Sequence, residues 1–444
     1  MRQSNDGMLG AMPVPRLVVT MSLPIMLSML ISAVYNLVDS VYVAQYSDEA
    51  FLALSYAYPI QMLLVAFCSG IGVGFSAIFS RRLGEGDQEQ AASAVCHGFF
   101  LYGLCWLLFL LFALTGAAPF LSLSTEDPSV ARQGAQYLLI CCGLSIGTCM
   151  QFLTERILQA MGRPAGFMIV QGSGAILNLI LDPIFIFVLD LGVAGAAAAT
   201  VIGQISGALI GFWLVYRLRR QLPIRLRGFR PRGEMLAEMG RVAAPAVVMQ
   251  SLSSFMSLGL NQLLTRWSQS AVFVLGAYFK LQTFIFMPIF GISSGLIPIL
   301  SYNYGSGALR RVSASVRFGQ QFTAVLSLSG ALLLSLLASP LLRSAFRASP
   351  EALAMGAPAL RIIALSFFFA GTSIIFCSAF QSLGRSRWSL LVALLRQILL
   401  LLPAAALLLA LKPALVWAAF PLSELISCFA AALLYRRTIQ KQLL

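Results

Sequence analysis

Apolar residues run through this chain in long stretches separated by short polar connections, without the period-two alternation of strands. About twelve stretches are long enough to cross a bilayer, which takes roughly 20 apolar residues in a helix. They lie near 17–43, 52–80, 92–115, 131–158, 165–189, 193–216, 236–265, 271–300, 318–342, 353–382, 388–411 and 414–435. The predicted fold class is therefore an all-α polytopic membrane protein. Ten-residue alternating segments, the mark of an outer-membrane barrel, are not the pattern here.

Composition sharpens that reading. The 444 residues are 59% hydrophobic and only 10% charged, against about 25% charged in soluble proteins. MRQSNDG offers no short apolar core with a small-residue cleavage site, and the first apolar run is long enough to remain as a span. A net charge of +14 invites a nucleic-acid partner. With both termini cytoplasmic, however, most Lys and Arg fall at inner ends of spans, whereas Asp48, Glu49, Glu126, Asp127 and Asp190 fall at outer ones. This is the positive-inside bias, so the partner implied is the bilayer of a cell inner membrane and no nucleic acid is expected.

The two halves share a plan. Pro24 and Pro245, Gly70 and Gly291, Gly74 and Gly295, Gly84 and Gly305, and Gly86 and Gly307 are each 221 positions apart. Gln159, Gly162 and Arg163 match Gln381, Gly384 and Arg385 at 222. An even number of spans per copy gives parallel repeats about an axis along the membrane normal. The expected domains are an N-terminal six-helix lobe at 1–216, a cytoplasmic basic linker at 217–235 and a C-terminal six-helix lobe at 236–444. The linker's RLRRQLPIRLRGFRPR is also placed to meet anionic headgroups. The repeated glycines fit small-x-x-x-small helix packing, and the prolines bend helices and free carbonyls.

Polar groups inside spans carry the candidate chemistry. Asn178 and Asp182 are four apart on one helical face, and Pro183 leaves the Leu179 carbonyl without its usual donor. A tight turn near Asp190–Gly192 brings Thr200 to the depth of Asp182. Asp39, with Tyr35 and Asn36 at i−4 and i−3, and Tyr137 in the fourth span, belong to the same outer leaflet. Two carboxylates in a poorly hydrated site cannot both stay ionised cheaply, so they share a proton or accept a small cation. A hard ion such as sodium takes oxygen ligands of this kind. The coupling site is therefore Asp39, Asn178, Asp182 and Thr200, with Tyr35, Asn36 and Tyr137 in support. At an offset of 221, Asp39 falls on Leu260 and Asp182 on Pro403, so the second half has no copy of the acids.

The eight cysteines show no ligand spacing and read as small core residues, and His97 alone makes no metal site. Gln250, Lys280 and Glu424 are the candidates for a substrate cavity. Lys280 either lines it, favouring anionic or neutral cargo, or pairs with Glu424. Glu424 either meets substrate or neutralises Lys280 or Arg396. Glu155-Arg156 reads as a gating or interfacial pair near the cytoplasmic end.

In order along the chain stand Pro24 and Asn36-Leu-Val-Asp39, Gly70-Ile-Gly-Val-Gly74, Arg82-Leu-Gly-Glu-Gly-Asp87 and Gln159-Ala-Met-Gly-Arg163. Asn178 to Asp182-Pro183, Gly192-Val-Ala-Gly-Ala, Ala199-Thr200, Asn303-Tyr-Gly305, Gln381-Ser-Leu-Gly-Arg385 and Pro421 follow. This ordered set, covering essentially the whole chain, resembles the multidrug and toxic compound extrusion (MATE) family of cation-coupled antiporters. The resemblance implies twelve helices in two pseudo-symmetric six-helix lobes around a central cleft, and efflux by alternating access. It also implies the branch whose sodium- or proton-binding residues correspond to Asp39, Asn178, Asp182 and Thr200. The chain departs from other branches in lacking an acid in the seventh or eighth span, where Lys280 is the charge.

The expected activity is thus export of a small organic substrate in exchange for H+ or Na+, by a monomer with no cofactor. A lipid-linked glycan flippase shares the broad architecture, but a single lysine is thin support for a pyrophosphate cavity. An intramembrane enzyme is opposed by the lack of H-E-x-x-H, of D-D-x-x-D and of a histidine able to partner a nucleophile. No Walker-type loop offers ATP as an energy source.

Overall fold

The computed structural model describes residues 8–218, 229–346 and 348–440. Every regular element among them is helical, with no strand. Ten helices are long and apolar enough to cross a membrane, or up to twelve if each of two bent pairs counts as one span. The all-α polytopic expectation holds. The central part of the basic linker, 219–228, lies outside the described residues.

The first half contains α1 (Val14–Tyr46), α2 (Asp48–Glu85), α3 (Gln88–Thr115), the bent pair α4 (Pro128–Gly143) and α5 (Ile146–Ala160), α6 (Pro164–Pro183) and α7 (Gly192–Arg217). The second repeats the order with α8 (Gly233–Thr265), α9 (Gln269–Gly305), α10 (Leu309–Pro340), the bent pair α11 (Pro350–Ala364) and α12 (Phe367–Ser382), α13 (Ser386–Leu394), α14 (Leu401–Leu411) and α15 (Ala419–Tyr435). Each pair bends by 43°. At the two breaks Ser145 and Ser366 occupy matching positions, 221 apart. Their hydroxyls donate to the carbonyls of Cys142 (2.7 Å) and Ile363 (2.6 Å). A hydroxyl competing for the helix's own carbonyls weakens the ladder where the helix turns.

Two compact units result. One takes the described residues of Leu27–Val247 with those of Met1–Gly10; the other takes those of Ala11–Met26 and Val248–Leu444. The boundaries fall inside α1 and α8, shortly after Pro24 and Pro245, where each proline removes a donor from the ladder. The domains read in sequence, 1–216 and 236–444 about a linker at 217–235, instead keep α1 undivided in the first lobe and α8 from residue 236 in the second.

The matched glycines explain the exchange of helix beginnings. In the first unit, a Cβ at Gly74 would lie 2.6 Å from the Met239 carbonyl, and one at Gly70 would lie 2.7 Å from the Val247 nitrogen. In the second unit, Cβ atoms at Gly291 and Gly295 would collide with Met26 and Ser22. Each unit therefore seats one long helix directly on the opening turns of another, which only hydrogen side chains permit. The C-terminal end of α2 is also tied to α8 by Arg82 Nη2 on Glu238 Oε2 at 2.9 Å and Arg81 Nη1 on Oε1 at 3.5 Å. His97, buried on α3, accepts a hydrogen bond at Nε2 from the Arg232 backbone at 2.8 Å. It therefore anchors the described end of the linker.

Gly74→Val and Gly295→Val should each cost about 1–3 kcal/mol by overpacking, read as a lower unfolding midpoint in detergent. Gly103→Val, where a Cβ meets nothing within 4 Å, should be nearly neutral. Equal midpoints for all three would contradict the packing account.

Candidate functional site

The site begins with the turn between α6 and α7. Pro183 ends the regular ladder, and Ile184–Val188 continues as a wider π-turn. Asp190 (φ 52°) and Gly192 (φ 51°) then reverse the chain in the left-handed region, which Asp and Gly tolerate. The ring of Tyr46, at the C-terminal end of α1, lies 2.6 Å from where a Cβ on Gly192 would be. Its hydroxyl donates to Asp190 at 2.9 Å. That bond to the carboxylate raises the Tyr46 phenol above its ordinary range, so it stays a donor at neutral pH. Beside it opens a polar cavity of about 320 Å³ whose lining includes Glu49, Gln133 and Gln136.

Behind this turn, α6 and α7 bring together three of the four residues expected to hold the coupling ion. Asn178 Nδ2 donates to Asp182 Oδ1 at 3.0 Å and reaches Thr200 Oγ1 at 3.4 Å. Asp182 is fully buried and Asn178 nearly so, while Thr200 is half-buried. Asp39, buried on α1, lies close enough for its charge to act on Asp182. Asp39 Oδ1, Asn178 Oδ1 and Asp182 Oδ2 are all buried with no hydrogen-bond partner among the described residues. Orphaned oxygens of this kind are expensive unless a proton, cation or water satisfies them. A carboxyl pair, an amide oxygen and a hydroxyl are an all-oxygen donor set suited to a hard cation.

The supporting residues divide. Tyr137 is buried and accepts a 2.7 Å hydrogen bond from Gln61 Nε2, within electrostatic reach of Asp39. Tyr35 is half-buried and within electrostatic reach of Asp39, Glu155 and Asp182. Asn36 is exposed, and its amide donates back to the Ser32 carbonyl at 2.7 Å. Gln171 of α6 donates to the Ser32 hydroxyl at 2.6 Å and fastens α1 to α6.

Sequence reasoning missed a polar stripe deeper in the same unit. Thr148, Gln151 and Glu155 stand at i, i+3 and i+7 on α5. Thr148 Oγ1 donates to Gln204 Oε1 (2.5 Å), one turn below Thr200 on α7, and Gln151 Nε2 donates to Glu155 Oε1 at 2.9 Å. Glu155 and Arg156 are both buried and act on each other electrostatically. Arg156 also donates to Gln159 Oε1 at 3.0 Å. The legible signal was the helical spacing of amides and hydroxyls inside apolar spans. Treating the cysteines as simple core residues is also incomplete, since Cys68, Cys105 and Cys149 from three helices bring their sulfurs within 4.8 Å of one another.

In the second unit, Glu424 is taken by Arg396, whose Nε and Nη2 lie 3.1 and 2.8 Å from Oε1. Of the two partners considered for Glu424, Arg396 is the one observed. Lys280 is exposed with no ion-pair partner among the described residues, and Gln250 is exposed.

A sequence profile of the MatE family matches residues 24–184 and 245–407. The multidrug export protein MepA of Staphylococcus aureus strain MRSA252 is 26% identical over 402 residues, covering 88% of this chain and 86% of MepA. A FAD transporter of Shewanella oneidensis is 26% identical over 418 residues, covering 91% and 90%. Among solved structures, an outward-facing multidrug resistance MATE family transporter superposes with a TM-score of 0.93 at 22% identity, over 99% of both chains. A mutant of the Vibrio cholerae MATE transporter VcmN gives 0.88 at 24% identity, over 96% of this chain and 97% of that one. The chain belongs to the MatE family of MATE transporters. It is a multi-pass membrane transporter and not an enzyme.

Arg396→Leu alone leaves Glu424 as an unpaired buried charge and should cost about 3–5 kcal/mol, whereas the double change to leucines should recover most of that loss. Thermal unfolding of the three variants in detergent checks this; a double variant as unstable as the single one would contradict it.

Proposed function

We propose that the chain is a secondary active efflux antiporter of the inner membrane, with both termini cytoplasmic. It exports small organic compounds in exchange for inward H+ or Na+. The observation that carries this reading is the trio of orphaned buried oxygens on Asp39, Asn178 and Asp182, gathered with Thr200 in a single unit. Asp39 and Asp182 hold the coupling ion; Asn178 orients Asp182 and links it to Thr200. When the ion leaves, two neighbouring buried carboxylates repel, and the proline-interrupted helices that carry them repack. One charge crossing about 100 mV supplies roughly 2.3 kcal/mol, and each pH unit adds about 1.4 kcal/mol per proton. The stripe through Gln151 to Glu155 supplies a buried polar route toward the inner half of the same unit.

The relatives support an organic cargo: MepA is described as a multidrug export protein, the Shewanella protein as a FAD transporter. The exposed Lys280 favours a second reading of the cargo as anionic. Vesicles holding the full chain, loaded under separate proton and sodium gradients and offered a fluorescent organic cation or FAD, test both. The native protein should respond to one gradient. Asp39→Asn and Asp182→Asn should lower the gradient-driven rate at least about tenfold, the scale of removing a buried charged partner, and Lys280→Ala should weaken transport of FAD only. Full coupled transport by both acid variants would contradict the reading.

A further inference from the structure

The three sulfurs of Cys68 on α2, Cys105 on α3 and Cys149 on α5 lie within 4.8 Å of one another, with Cys68 and Cys149 at 3.7 Å. Each comes from a different helix, so the cluster is a product of tertiary packing that no spacing in the sequence reveals. The residues are 0%, 4% and 0% exposed and belong to the apolar core of the first unit. All three are free thiols.

Geometry limits what such a triangle can hold. A metal–sulfur bond of about 2.3 Å puts three sulfurs about 4 Å apart in a planar set and about 3.5 Å apart in the pyramid that a lone pair on the bound centre imposes. The 3.7 Å Cys68–Cys149 separation is close to the latter, and the third sulfur, within 4.8 Å of the others, closes in on binding. No His, Asp or Glu joins the group among the described residues, so a four-ligand zinc site is not formed. Soft thiol donors select soft centres.

Charge then decides among them. Thiols bind as thiolates, and three thiolates around a monovalent ion leave two net negative charges in an apolar interior, where unpaired charge is heavily penalised. Arg156 is the cation that the surrounding contacts place nearby. Its Nε and the Tyr102 hydroxyl both press on Gly72, one turn from Cys68, and that hydroxyl donates to the Cys68 carbonyl at 2.9 Å. One guanidinium does not offset two negative charges. A trivalent centre removes the difficulty. Arsenic(III) hydroxide is uncharged. When it meets three thiols, three As–S bonds form and three As–O bonds break. The thiol protons leave with the hydroxides as three waters, without electron transfer or change of charge.

We propose that Cys68, Cys105 and Cys149 form a binding site for a trivalent thiophilic metalloid, which on binding pins α2, α3 and α5 together. Because α5 carries Gln151 and Glu155, the bound centre holds the polar stripe rigid and slows transport.

The test is native mass spectrometry and thermal unfolding of the full-length protein in detergent, with sodium arsenite as the probe. The expected adduct is one arsenic per chain with loss of three hydrogens, together with a higher unfolding midpoint, since a ligand bound only by the folded state stabilises it. Cys105→Ala and Cys149→Ala should abolish both effects, and Cys377→Ala should keep them. Because alanine is a mild change in a packed core, each variant's midpoint without arsenite reports its folding independently. An adduct that has lost only two hydrogens, no adduct, or one that persists in Cys105→Ala would overturn the proposal. Copper(I) binding at the same three cysteines in preference to arsenite would overturn the charge argument behind it.

Discussion

The structure depends on what it costs to keep carboxyl groups out of water. Asp39 and Asp182 are buried in a helical bundle whose chain is 59% hydrophobic. Such acids survive only if neighbouring groups orient them and something satisfies their remaining lone pairs. Asn178 meets part of that need by holding one oxygen of Asp182 and reaching Thr200. The rest is left open, and in the proposed function those acceptors are where the exchangeable ion is held. The scaffold around it keeps that demand in place: Gln171 on Ser32, Gln61 on Tyr137, and Tyr46 over the Asp190–Gly192 turn.

Duplication supplied the scaffold, and divergence the chemistry. The 43° bends at Ser145 and Ser366, the glycine seats on opening helix turns and the order of elements recur in both halves. The buried charges do not. Where the first unit has two acids with no ion-pair partner among the described residues, the second has Glu424 held through Oε1 by Arg396, although its Oε2 is orphaned too. A clamped pair is costly to break and has little to exchange, whereas an unclamped pair of like charges can change its occupancy. Two units of similar construction are thus left with different electrostatic tasks.

Most of the fold was legible because lipid imposes a coarse demand: spans must be long, helical and apolar, and their charges must sort by side. The site was half legible. Asn178 and Asp182 share a face by their spacing, and Pro183 with the Asp190–Gly192 turn fixed the depth of Thr200. The bends at Ser145 and Ser366 were not foreseen, because a serine in an apolar span reads as a small residue until its hydroxyl's partner is known. Glu155-Arg156 reads as a gating or interfacial pair from its place near the cytoplasmic end, yet neighbours on a helix point in different directions, and Glu155 accepts from Gln151 while Arg156 donates to Gln159. The triangle of cysteines could not be read at all, since 37 and 44 residues separate its members in sequence.

The most direct measurement is of the ions displaced when a transported compound saturates the purified full-length protein in weakly buffered detergent. Protons are followed by an indicator dye, sodium by isotope. If Asp39 and Asp182 hold the coupling ion, the native protein releases one of the two ions on binding. The Asp39→Asn, Asp182→Asn double variant binds the compound and releases neither. Undiminished release from that double variant would contradict the account.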